Sequence, residues 1–159
     1  MTIREKFIQG YANKVVFPIY KFVFRSFKAP FSMEQLQQMP EGTLGKDLHH
    51  FLKVNKLDIL PLLHAHDVKH ILLGYDTSLE DEVCLQFFDL GNRFYTLQAI
   101  VSSAAFIVIL PESWAKFKEA FKRGRAAKPI GRLHFEKMLH ISTQELRITN
   151  HLNSSAYEN

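Results

Sequence analysis

The chain has 159 residues, with 20 Lys or Arg, 16 Asp or Glu, a formal net charge of +4 and one cysteine. This length suits one compact domain whose core needs no disulfides, and the single cysteine, Cys84, excludes an intramolecular one. The mild positive charge suits an anionic membrane surface or a small anionic ligand, and no nucleic-acid-binding motif accompanies it. We expect neither a secretory leader nor a membrane-spanning helix, because no apolar run has the required length.

The first 31 residues interleave basic and aromatic side chains and contain a single acid, Glu5. The aromatic residues are Phe7, Tyr11, Phe17, Tyr20, Phe22, Phe24, Phe27 and Phe31. This composition is typical of a segment that lies in a membrane interface with its charges toward the lipid phosphates. An N-terminal helix that packs its aromatic side chains on the domain explains the pattern equally well, although Pro18 and Pro30 interrupt any long helix.

Helical periodicity predicts an all-α fold, with a single compact helical domain over 32–152 and a flexible tail over 153–159. In chain order, the predicted helices cover 32–38, 45–55, 60–73, 78–88, 92–110, 112–123, 130–140 and 142–152. Ser32 with Gln35 marks the start of the first helix, and Thr77 with Glu80 is typical of a capping box before the fourth. Gly74 suits the residue just after the third helix. No alternating strand pattern competes with this interpretation.

The strongest functional signal is the sequence His-Asp-Val-Lys-His at 66–70, which Glu82 follows twelve residues after His70. His66 and His70 are four residues apart, so they project from one helix face and can chelate a metal through their ring nitrogens. Asp67 is either a third ligand or a group that fixes a histidine tautomer. Glu82 falls in the first turn of the next helix, on an inward stripe where an ionised carboxylate needs a partner. A polar network without a metal, or three solvated polar residues, explains the spacing equally well.

Two further segments are candidate ligand contacts. The uncharged apolar run over 95–110 includes Ser102 and Phe106. A core helix is the default interpretation of this run, but its small side chains would let another helix or an isoprenoid tail approach closely. A solvated helix face, or a phosphate or carboxylate site, explains the basic cluster that follows. Its members are Lys116, Lys118, Lys122, Arg123, Arg125, Lys128 and Arg132.

From Met39 to the last predicted helix, these residues resemble the coenzyme Q biosynthesis protein 4 family. The fingerprint of that family is HDxxH followed after eleven residues by Glu, which matches His66, Asp67, His70 and Glu82. Further matches are Pro-Glu-Gly-Thr-Leu-Gly at 40–45, His-Ile-Leu-Leu-Gly at 70–74, Gly-Arg-Ala-Ala at 124–127 and Glu-Leu-Arg at 145–147.

The resemblance implies a helical protein that binds a divalent metal and a polyprenylated ligand. The implied activity is removal of the carboxylate at ring carbon 1 of a polyprenylated hydroxybenzoate, with hydroxylation there. The metal is usually described as zinc, and iron and magnesium are alternatives. Zinc has no redox chemistry, so an oxidative step would favour iron or a separate oxidant. The implied metal ligands are His66, Asp67, His70 and Glu82, with Asp67 as the candidate catalytic group and Arg123, Arg125, Ser102 and Phe106 as candidate ligand contacts.

The resemblance also implies partners and a location. We expect a polyprenylated quinone precursor, a membrane surface, other quinone-biosynthesis proteins and a second copy of the chain as partners, and no nucleic acid. The expected location is the bacterial cytoplasm, peripheral to the inner membrane. One alternative is a non-catalytic scaffold that presents prenylated precursors to other enzymes. Another is a metallohydrolase resembling HD-domain phosphohydrolases, which needs further ligands such as His49 or His50 and Asp89.

Overall fold

The computed structural model describes residues 28–60, 63–131 and 133–152, without the side chains of Gln98 and Ser102. These residues form helices and no strand, apart from an isolated bridge between Thr43 and Ser142. The prediction of an all-α fold is therefore confirmed for the described part of the chain. The predicted tail and all but the last four residues of the N-terminal segment lie outside it. The helices are α1 (Met33–Gln37), α2 (Leu44–Val54), α3 (His64–Leu73), α4 (Leu79–Gly91), α5 (Leu97–Ile109), α6 (Trp114–Ala126) and α7 (Thr143–Thr149), with short 3₁₀ turns at Pro111–Ser113 and Phe135–Lys137.

Side-chain caps fix where several helices begin. Ser32 and Gln35 form a reciprocal capping box at the start of α1, as predicted. Helix α4 begins one residue later than predicted, because the Ser78 hydroxyl, rather than that of Thr77, accepts the capping bond from the Asp81 N–H. Helix α3 ends at Gly74, whose φ of 70° is the left-handed conformation that glycine adopts without strain. The end of α3, which carries the predicted His-Asp-Val-Lys-His motif, and the start of α4, which carries Glu82, are therefore both fixed by local contacts.

The main core lies among α2, α3, α4 and the chain after α6. Its side chains are almost fully buried, with Leu48, Val68, Phe88 and Ile130 among them. A smaller apolar cluster joins α4 to α6 around Phe117. Its other buried members are Val83, Cys84, Phe87, Leu110 and Ala120. Cys84 is therefore a small core residue.

Helices α4 and α6 approach closely at two glycines. A Cβ atom on Gly124 would lie 2.1 Å from the carbonyl oxygen of Phe88, and one on Gly91 would lie 2.1 Å from that of Phe121. No side chain fits in either place, so each glycine lets one backbone rest directly on the other. This crossing fixes α4, the helix that carries Glu82.

Two predicted helices differ from the structure. The helix predicted over 130–140 is wrong, because only the turn Phe135–Lys137 is helical among the residues of that range that the structure describes. The helix predicted over 92–110 begins instead at Leu97. Asn92 ends α4 as its C-cap, and its side chain ties this end to the end of α6 and the chain that follows. Its amide donates to the carbonyls of Gly124 and Lys128, and its Oδ1 accepts from the Ile130 N–H at 2.8 Å. Helix α5 begins at Leu97 because the Thr96 hydroxyl caps it by accepting from the Ala99 N–H.

Among the described residues, no single helix has both the length and the hydropathy of a membrane span. Ala99–Ile109 and Pro111–Ala126 meet that test only when taken together across a bend of 106°.

Candidate metal centre

His66 and His70 lie one turn apart on α3, with their rings 4.8 Å apart. The His70 side chain is 1% exposed and its ring stacks against that of Phe51. Its Nδ1 lies 3.3 Å from the carbonyl oxygen of Tyr75, just after the Gly74 turn. A carbonyl can only accept, so Nδ1 carries the proton and Nε2 of a neutral ring presents its lone pair. The turn that ends α3 therefore sets the tautomer a metal ligand requires.

Glu82 faces both rings from the first turn of α4. One carboxylate oxygen lies 3.3 Å from Nε2 of His66, and the other lies 3.3 Å from Nε2 of His70. One ligand atom from each of the three residues lies within 4.8 Å of the others. Ligand atoms about 2.0–2.2 Å from a tetrahedral zinc ion are about 3.3–3.6 Å apart. The two contacts of 3.3 Å match this spacing, and the widest separation in the group must shorten when an ion binds.

Charge complementarity perturbs the pKa of two of these groups. Burial alone would raise the pKa of Glu82, but its contacts with His66 and then His70 outweigh it and lower the pKa to about 2. Burial would likewise lower the pKa of His66, but Asp67 and Glu82 outweigh it and raise the pKa to about 9. At neutral pH the metal-free site therefore holds an imidazolium–carboxylate pair, and His66 must lose its proton to bind a metal.

Asp67 lies on the far side of the His66 ring from Glu82. Its Oδ1 is 3.8 Å from Nδ1 of His66, and it is not part of the group of three ligand atoms. This placement favours the second of the two roles that the sequence left open, in which Asp67 orients His66. The described residues then supply two imidazoles and one carboxylate. Zinc enzymes and non-haem iron enzymes both use that donor set, and it leaves positions open for substrate or water.

A sequence model of the family "Coenzyme Q (ubiquinone) biosynthesis protein Coq4" matches residues 62–155, which include the whole cluster. The chain belongs to this family. The ubiquinone biosynthesis protein COQ4 homolog of human mitochondria is similar to it, at 26% identity over 141 residues. That match covers 71% of this chain and 51% of the human protein, so the chain spans about half the length of this relative.

The fold of this Coq4 family member also resembles a solved structure. A crystal structure of a protein from Nostoc punctiforme, provisionally assigned to ubiquinone biosynthesis, has a TM-score of 0.67 at 21% identity. The similarity covers 84% of this chain and 74% of the Nostoc protein. At this identity the likeness concerns the fold.

The other predicted ligand contacts whose side chains are described lie outside the group of three ligand residues. The Arg123 guanidinium donates to the Tyr75 hydroxyl and to the carbonyls of Leu73 and Leu152, so it ties α6 to the end of α3. Arg125 is exposed on α6. Phe106 is half-buried and packs against the Phe117 cluster. The predicted contact at Ser102 lies outside the described side chains.

Sequence reasoning missed a buried ion pair beside the cluster. The Lys69 ammonium lies 2.8 and 2.7 Å from the two carboxylate oxygens of Asp89. Asp89 therefore pairs with a lysine, which argues against the metal-ligand role that a phosphohydrolase site would give it. A signal was present, because Lys69 shares the apolar stripe of Leu72 and Leu73, and Asp89 lies between two apolar residues of α4.

Proposed function

We propose that this protein binds one divalent metal ion at His66, His70 and Glu82 and acts on the ring-carbon-1 carboxylate of a polyprenylated hydroxybenzoate in the biosynthesis of ubiquinone or a related prenylquinone. The observation that carries the proposal is the convergence of three metal-ligating side chains in a member of the Coq4 family. The site combines an open donor set with ligands that are already oriented.

The residues of the chain have separate roles in this proposal. A bound divalent ion would supply Lewis acidity toward the carboxylate or phenol oxygen of the ring. His70 presents Nε2 because the Tyr75 carbonyl holds Nδ1–H. Asp67 faces the other ring nitrogen of His66 at 3.8 Å and favours the protonated form of that ring. Glu82 reaches both histidines from α4, so it ties the two helices together at the site.

The reaction can be tested with a substrate labelled at the carboxylate. We expect the metal-loaded protein to release labelled carbon dioxide from a polyprenylated hydroxybenzoate, in the presence of dioxygen if the step is oxidative. His66→Ala should abolish the release, whereas His140→Ala, at an exposed histidine outside the cluster, should retain it. If the metal-loaded protein binds the precursor without releasing carbon dioxide under either condition, the activity is wrong and the scaffold alternative remains.

We also propose that α5 contacts an anionic lipid surface, in which the polyprenyl tail of the substrate would reside. The exposed side chains of α5 that the structure describes are all apolar: Leu97 is 80% exposed, Val101 60% and Val108 80%. Ile100, Ala104, Ala105 and Ile107 complete this face. Soluble proteins rarely leave so continuous an apolar strip in water.

Residues around α5 favour lipid as the occupant of this face. Tyr95 precedes the helix and Trp114 follows it, and both are exposed, as aromatic side chains at a membrane interface are. On α6, Lys118, Lys122 and Arg125 are exposed one turn apart and can attract anionic headgroups. We therefore propose a location on the cytoplasmic face of a bacterial inner membrane.

Trp114 is the only tryptophan of the chain, so its fluorescence reports on this surface. We expect phosphatidylcholine vesicles with 30% phosphatidylglycerol, about a third anionic as a bacterial membrane is, to shift its emission to the blue and to co-sediment the protein. Val101→Asp with Val108→Asp should abolish both effects. Val54→Asp, at a residue that is 63% exposed on α2, should leave them intact. If the double variant binds vesicles normally, or only converts a dimer to a monomer, lipid does not cover α5.

A further inference from the structure

A cavity of about 250 Å³ lies beside the metal cluster, among α3, α4, the start of α5 and the chain around Gly131. His66 lines this cavity and also belongs to the cluster, so the two share a wall. Lys69 and Asp89 line it as well, together with Phe94 and Phe135. Here it is called the Lys69 cavity. It adjoins the position where a metal ion would meet its substrate.

The Lys69 cavity opens to solvent on one side and places a nearly buried cation next to aromatic rings. The side chain of Lys69 is 7% exposed and that of Asp89 is 11% exposed. Within the described residues, Asp89 supplies both oxygens that hydrogen-bond the ammonium, and the ring of Phe94 lies 4.4 Å from it. An ammonium has three N–H groups, so one remains beyond the two that Asp89 accepts, and the Phe94 ring and a ligand in the cavity compete for it.

Stability alone does not account for the pair. Two charges lose their hydration when buried, and packed apolar side chains in their place are often at least as stabilising. A buried charge that lines a cavity is instead typical of a group that orients a ligand. The size of the cavity limits the ligand, because drug-sized molecules occupy pockets of about 300–1,000 Å³. A single ring fits, and any long tail must extend outside.

We propose that the Lys69 cavity binds an aromatic ring that carries an anionic oxygen group, with Lys69 as the specificity-determining residue. Lys69 donates its third N–H to the anionic oxygen, and Phe94 and Phe135 contact the ring. This assignment rests on the proposed function, in which the ring is the head group of the substrate. To that function the assignment adds Lys69 as the residue that selects the anionic ring and holds it against His66.

Binding of two soluble probes by titration calorimetry tests this assignment apart from catalysis. The probes are 4-hydroxybenzoate and its neutral analogue 4-hydroxybenzamide. We expect metal-stripped wild-type protein to bind the anion about tenfold more tightly than the amide, since a charge-assisted bond distinguishes them. Lys69→Met with Asp89→Leu replaces both charges by apolar groups and should abolish this preference.

A matched control is the ion pair between Lys116 and Glu80, which joins α6 to α4 away from the cavity. Lys116→Met with Glu80→Leu should keep the preference for the anion. If the Lys69 double variant does not fold, Phe94→Leu provides the test, because it retains the ion pair and should weaken both probes several-fold. An unchanged preference in the Lys69 variant, unchanged binding in Phe94→Leu, or no preference in the wild type would overturn the assignment.

The same titrations separate this inference from the proposed reaction. A preference for the anion that depends on Lys69 in metal-stripped protein supports the cavity assignment even if the metal-loaded protein releases no carbon dioxide. Carbon dioxide release that is unchanged by the Lys69 double variant, together with an unchanged preference, would support the reaction and overturn the cavity assignment.

Discussion

Replacing Glu82 by Gln tests the charge arrangement of the site without a metal. The fall in the pKa of this carboxyl from 4.5 to about 2 corresponds to about 3 kcal/mol. Its side chain is 34% exposed and that of His66 is 39% exposed, so solvent screening reduces the expected contribution to about 1–2 kcal/mol. The raised pKa of His66 reports mainly the same interaction, so it adds no second contribution. We expect Glu82→Gln to lower the free energy of unfolding of metal-free protein by about 1–2 kcal/mol.

The loss should depend on pH in a defined direction. The pKa of Glu82 is depressed, so its contribution is present above pH 4.5 and is lost as the pH falls toward 2. The pKa of His66 is raised, so its contribution is present below pH 6.5 and is lost as the pH rises through 9. The stability difference between wild type and Glu82→Gln should therefore be largest near pH 5.5 and small near pH 10.

Urea unfolding of chelator-treated protein, followed by circular dichroism, measures this difference. Glu80→Gln is the matched control on the same helix, because the partner of Glu80 is Lys116, whose pKa is raised by that contact. The loss in free energy of unfolding caused by Glu80→Gln should change little between pH 5.5 and 9. If Glu82→Gln does not lower the free energy of unfolding at pH 5.5, or lowers it equally at pH 5.5 and pH 10, the site holds no imidazolium–carboxylate pair.

Three other results follow from the structure. Gly124→Ala should lower the free energy of unfolding by about 1–3 kcal/mol in urea melts, because the new methyl group meets the backbone of α4. Asn92→Ala should cost about 2–3 kcal/mol in the same assay, since it leaves the buried Ile130 N–H without its acceptor. Metal binding at pH 7.5 should release close to one proton per ion, measured by calorimetry in buffers of different ionisation enthalpy, because His66 is protonated in metal-free protein.

Local signals predicted the elements that border the site. The Gly74 turn and a hydroxyl cap place the end of α3 and the start of α4 within one residue, so Glu82 falls in the first turn as predicted. Because His66 and His70 lie one turn apart on the same face of α3, both can contact Glu82. These features depend on residues within about one helical turn of each other, which is the range at which sequence patterns are informative.

Long-range contacts account for what the sequence left open. The Ile130 N–H donates to the Asn92 side chain, 38 positions away in the chain. The apolar pattern of 130–140 does not indicate this hydrogen bond. The pairing of Lys69 with Asp89 spans 20 positions and depends on how α3 packs against α4. The role of Asp67 also stayed open in the sequence, because the side of the His66 ring that it faces depends on where Glu82 lies.

The central claim is that His66, His70 and Glu82 hold one divalent ion. The most direct test is mass-spectrometric metal analysis of protein purified without added metal or chelator, alongside His66→Ala, Glu82→Ala and the control Glu80→Ala. The two cluster side chains are partly exposed, so their truncation should leave the fold intact by circular dichroism. We expect close to one zinc or iron ion per chain in the wild type and the control, and almost none in the two cluster variants. Folded wild-type protein that carries no metal after this purification, or equal metal content in all four proteins, would contradict the account.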